Sequence, residues 1–208
     1  MVDILISGGP VMIPLGLLSL VAVSIIMARL WVLRLSNFLQ PSTVQTLSGL
    51  LASDKFQGSI DFCRRHPGPF TGLVVALVEN RHAPYDELRE ILEDTGRLQL
   101  MGLQRGLPAL GTIVAGAPLL GLLGTVIGMI KIFSVVATAG SGITEQLSSG
   151  ISQALITTAT GLVIAIPALF VHSYLESRAL MILSEIEAQI LDFLHLVREH
   201  AKTEDEED

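Results

Sequence analysis

One cysteine in 208 residues, Cys63, excludes an intrachain disulfide framework and suits a reducing compartment. Charge is scarce too: 16% of the residues are Asp, Glu, Lys or Arg, 50% are hydrophobic, and the mean hydropathy is +0.60. A soluble domain of this size rarely carries so little charge, whereas several membrane spans produce that balance directly. Carboxylates are nearly absent from one long stretch. Between Leu107 and Leu175 the only one is Glu145, with Lys131 and His172 near the ends. Catalytic signatures are missing as well. The five histidines are scattered, Cys63 lies outside the apolar runs, and no HExxH, GxSxG or Gly-rich phosphate loop occurs. We therefore expect no enzyme, no metal site and no cofactor. Residues 1–9 lack the basic start of a secretory signal, and nothing in the charge distribution points to nucleic acid. The net charge of −7 owes much to Glu204–Asp208, which predicts a solvated, disordered tail over 201–208.

What is present is three long apolar runs. They predict an all-α, polytopic membrane protein with three transmembrane helices, the second and third extending into the cytoplasm. The expected order is an outer N-terminus (1–9), a first span (10–34), a cytoplasmic helical region (35–105), a second span (106–136), an outer turn (137–149), a third span (150–175), a cytoplasmic helix (176–200) and the acidic tail (201–208). Trp31, Arg29 and Arg34 mark an interface at the end of the first span. Pro41 and HPGP (His66–Pro69) divide the polar region, and the pattern from Tyr85 is expected to run straight into the second span. After the third span, Leu180, Leu183, Ile186, Ile190 and Phe193 form an apolar stripe. Twelve of the thirteen Lys/Arg residues lie in or beside 29–105 and 178–202, and none lies in 1–9 or 137–149. The bias towards basic cytoplasmic loops puts the N-terminus outside and both polar regions inside.

The second span contains APLLGLLGTVIGMI (117–130), in which Ala117, Gly121, Gly124 and Gly128 fall three or four apart. Small residues so spaced let helix backbones approach closely in lipid. A self-contained bundle with ordinary small-residue packing explains that stripe; so does a ring of copies whose faces line a central cavity. The third span opens GISQALITTATGLVIAIPALF, with Gln153, Thr157, Thr158 and Gly161. A threonine at membrane depth often bonds only the carbonyl one turn back, but a primary amide cannot satisfy itself that way and should face protein or water. Pro118 and Pro167 remove backbone donors and are expected helix breaks.

These two motifs, with GGPVMIPLGLLSLVAVSIIMARLW at the start, resemble the MotA/TolQ/ExbB proton channel family, its ExbB/TolQ branch in particular. The resemblance covers roughly Gly8 to Leu194. It implies an inner-membrane, multi-pass, ion-conducting subunit of an energy-transducing motor. That subunit would form a homo-oligomer, usually pentameric, around a dimer of a single-span ExbD/TolR-like protein whose membrane aspartate carries the ion, H+ or Na+. A TonB- or TolA-like protein would receive the work, in TonB-dependent import or envelope maintenance. Thr125 and Thr158 match the family's channel-lining threonines, with Gln153 and Thr157 beside them. Gln153 stands where the branch commonly has glutamate, and Ala28 likewise. A passive membrane scaffold and a secondary transporter subunit are the competing classes, although a transporter's internal repeat is not visible here.

Overall fold

The computed structural model describes residues 8–33, 38–138 and 144–207, with side chains described at 8–33, 38–134 and 148–198. All regular structure among them is helical: α1 (Met12–Val32), α2 (Pro41–Ala52), α3 (Phe56–Arg65), α4 (Pro69–Glu79), α5 (Tyr85–Leu103), α6 (Leu107–Thr138) and α7 (Thr144–Glu207). Three stretches are long and apolar enough to cross a bilayer: Met12–Val32, Leu107–Ser134 and the part of α7 from Ser148, each with a hydropathy of 2.2. About 20 residues span the hydrocarbon core, so the 64-residue α7 carries one crossing and a long polar continuation.

The chain divides into two compact units. The membrane unit holds α1, α6 and α7 as far as Leu175. Val11, Met12 and Leu15 pack there on Ala117 and Ala165, with Leu120 and Ile164 at the margin. Much of the remaining apolar surface points outward, with Leu20, Phe133, Val163 and Phe170 each more than 60% exposed. Such a surface suits lipid and not water.

The polar unit holds α2 to α5 and α7 from Glu176. Pro41 and Pro69 each open a helix, where a missing N–H costs nothing. Leu47, Leu51, Phe70, Leu73, Leu77, Leu88, Ile182, Ile186 and Phe193 are fully buried, and the Phe70 and Phe193 rings sit 5.7 Å apart. Of the predicted α7 stripe, Leu183, Ile186, Ile190 and Phe193 are buried, but Leu180 is 49% exposed. Ala179 and Ile182 take its place, because the buried face repeats at 179, 182, 186, 190 and 193 and Leu180 sits a full 100° round the helix.

Four expectations are corrected. The helix from Tyr85 does not run into the second span. It stops at Leu103, and α6 starts at Leu107 after Gly106 adopts φ +85°, a left-handed conformation that suits glycine. Pro118 and Pro167 lie inside α6 and α7 instead of breaking them. Proline is tolerated in membrane helices where neighbouring groups or water take up the freed carbonyl. α7 begins at Thr144, inside the expected outer turn. It also continues to Glu207 through the expected disordered tail, where Ala201, Lys202 and the glutamates are good helix formers. Residues 1–7 of the expected outer N-terminus, 139–143 of the turn, and Arg34 lie outside the described residues.

Candidate ion pathway and the small-residue seam

The glycine stripe of α6 is covered by α7 of the same chain. A Cβ on Gly121 would stand 3.0 Å from both the Thr157 carbonyl oxygen and the Thr158 Cα. On Gly124 it would lie 2.6 Å from the Thr157 Cβ, and on Gly128 it would lie 3.1 Å from the Ala154 Cβ. Gly161 reciprocates, since its Cβ would lie 2.6 Å from the Ala117 carbonyl oxygen. Paired positions fall along α6 as they rise along α7, so the two helices run antiparallel through a seam with no room for added side chains. Of the two explanations open in the sequence, the self-contained bundle accounts for this stripe. Gly161 is an expected helix-packing residue and Thr157 an expected pathway residue; the rest of the matching α7 face, 150, 154, 165 and 168, continues the same three-four repeat of small residues but was not singled out.

The polar residues expected along the pathway separate into different environments. Thr157 is fully buried under Gly124, and its Oγ1 donates to the Gln153 carbonyl at 2.6 Å. It has no surface to offer an ion and acts as packing in the seam. The half-buried Thr158 reaches across instead, its Oγ1 donating to the Gly121 carbonyl at 3.0 Å. Thr125, one turn beyond Gly121, is partly exposed, and its Oγ1 donates to the Leu122 carbonyl at 2.7 Å. Each hydroxyl proton is thus committed to a backbone carbonyl, so Thr125 and Thr158 have only acceptor lone pairs left to present.

Gln153 is half-buried, with its amide nitrogen directly against Gly9. Gly9 has φ +73°, and a Cβ there would collide with that amide. Sequence reasoning missed Gly9; the only signal was the Gly-Gly-Pro run before the first span. Near the other end of the seam, His172 lies against Gly111, with Nε2 3.1 Å from where a Cβ would stand. Among the described residues no group of three or more His, Cys, Asp and Glu side chains is placed to hold a metal ion.

The region of similarity to known proteins includes the seam. A model of the MotA/TolQ/ExbB proton channel family matches residues 69–188, more than half of the chain. The chain belongs to that family. It is 35% identical over 181 residues to the ExbB-like 1 biopolymer transport protein of Synechocystis sp., which covers 85% of this chain and 71% of the relative. With the ExbB-like 3 protein of the same organism the identity is 32%, over 78% of this chain and 79% of the relative. The Tol-Pal system protein TolQ of Pseudomonas aeruginosa is 32% identical over 104 residues, half of this chain and 45% of that one. These relatives place the chain in the ExbB/TolQ branch. It is a multi-pass inner-membrane protein of a proton-channel family that serves energy transduction, and that family is not one of enzymes.

Proposed function

We propose that this chain is the proton-conducting subunit of an ExbB/TolQ-type motor, and that the titrating acid belongs to a partner. The observation that carries the reading is the pairing of an acid-free membrane stretch with threonines that can only accept. Glu145 is the sole carboxylate between Leu107 and Leu175, yet Thr125 and Thr158 present lone pairs on partly exposed surface. A protonated carboxylic acid has one O–H to donate and finds its acceptors there. Once ionised, it loses that bond and leaves the site for water. A neutral lining also avoids holding an unpaired charge at membrane depth, which costs several kcal/mol, and spares the acid a like charge that would raise its pKa.

The acid then comes from a single-span ExbD/TolR-like protein, present as a dimer inside a homo-oligomeric, pentameric ring of this chain. The N-terminus faces the periplasm and both polar regions the cytoplasm, as the basic residues indicate. A TonB- or TolA-like protein receives the work, for import or envelope maintenance. The seam favours one rival: packing within one chain explains the glycines of a passive scaffold equally well. The scaffold gives no use to the acceptor lone pairs that Thr125 and Thr158 leave on partly exposed surface. Proton uptake into sodium-free liposomes separates the readings. Flux should require both chains. Flux from this chain alone would sink the borrowed-acid claim, and no flux from the assembled pair would favour the scaffold.

A further inference from the structure

Within the polar unit a groove of about 580 Å³ runs between α5 and α7. Tyr85, Arg89 and Leu92 form one wall, at positions i, i+4 and i+7; Glu187, Ile190, Leu191 and Leu194 form the other, at i, i+3, i+4 and i+7. Both walls therefore repeat with the helical period over two turns, roughly 11 Å at 5.4 Å per turn. A channel of that length and period, open along its side, fits a third helix better than a compact small molecule. Ile190 and Leu194 are buried in its floor, while Leu191 and Tyr85 on its rims are 52% and 45% exposed.

The groove lining carries two carboxylates, Glu93 and Glu187, against one cation, Arg89, while the Arg198 guanidinium lies over the Tyr85 ring at its rim, 4.9 Å from the ring centroid. Arg89 already binds Glu93, Nε to Oε1 at 3.0 Å. Glu187 lies against the α5 backbone at Gly96, its Oε1 3.2 Å from where a Cβ would stand. Among the described residues no Lys, Arg or His reaches the Glu187 carboxylate within 4.0 Å. Glu187 is exposed at the groove, where partial burial and then the Glu93 charge raise its pKa, so a further negative charge is disfavoured there and a cation favoured.

We propose that this groove docks an amphipathic helical segment of a partner protein, with a lysine or arginine on that segment's apolar side pairing with Glu187. Leucines one turn either side of the basic residue would cover Leu191 and Tyr85, the exposed apolar rims. This surface lies outside the membrane unit and does not depend on the proton-channel reading.

The test uses the full chain in phosphatidylcholine nanodiscs and two fluorescein-labelled helical peptides, identical except for a central Lys or Glu flanked by leucines. Fluorescence anisotropy should show the Lys peptide binding about fivefold tighter than its twin. Glu187→Gln removes a repelled charge and so should fold; it should bring the two affinities together, while Leu191→Ser weakens both. Equal affinities for the wild-type chain, or a preference that survives Glu187→Gln, would overturn the proposal. So would native mass spectrometry showing that Leu191→Ser lowers the oligomer mass, since a second copy of the chain would then fill the groove.

Discussion

At Gly124 the two seam helices come so close that even a methyl group has nowhere to go. Gly124→Leu should therefore injure the chain's own fold before any assembly of chains. Overpacking of this kind costs about 1–3 kcal/mol or more, read as a lowered midpoint in detergent unfolding of the isolated chain. An unchanged midpoint would mean the seam is looser than described. Thr158→Ala should cost about 0.6 kcal/mol and at most about 1.7 kcal/mol, the average and upper values for hydrogen bonds between membrane helices. Thr158→Ser should keep the bond to the Gly121 carbonyl and restore most of that loss. If Thr158 also meets the partner's acid, the alanine variant should lose more proton flux than its stability loss explains. Gln153→Glu is expected to shift the pH profile of flux, because a carboxylate near the pathway raises the pKa of the partner's acid. A properly assembled variant with the wild-type profile would remove Gln153 from the pathway. Thr157 and Thr158 also show how far residue type could be read. Both are threonines at neighbouring positions, but the angle between them sends one hydroxyl along its own helix and the other across the seam, and that angle depends on where α6 lies.

Among the elements, α5 and α7 of the polar unit meet with two carboxylates facing, Glu93 and Glu187. Glu187 has its pKa raised above the ordinary 4.5, first by burial and then by Glu93. The folded unit thus favours the protonated form. Its contribution to stability is complete below the unfolded value and is lost as pH rises through the raised folded value. Denaturant unfolding of the full chain, followed in the polar unit across that window, should show stability falling with pH. Glu187→Gln should flatten the fall, and a wild-type slope in that variant would refute the assignment. Element types were largely legible, since hydropathy and period alone mark the three spans and the α7 stripe. Their ends were not. Gly106 sits in a sequence that reads as helix on both sides, and only its left-handed φ separates α5 from α6. Pro118 and Pro167 mislead in the opposite direction, because a helix can lose one donor and still continue.

For the molecule as a whole, topology is the open property with the clearest experiment. The basic residues predict that single cysteines placed at 40–100 and near the C-terminus react only from the cytoplasmic side, and one in 137–149 only from the periplasmic side. Labelling of a cysteine at the exposed position 61 from the periplasm would overturn that orientation. The native cysteine bears directly on how such work is done. Cys63 is 2% exposed in the core of the polar unit, and burial pushes its thiol up to about 11. Maleimides attack thiolates, which a thiol so placed scarcely forms at neutral pH. The wild-type chain is in practice its own cysteine-free background: probes can be introduced one at a time without first replacing a side chain that the core depends on.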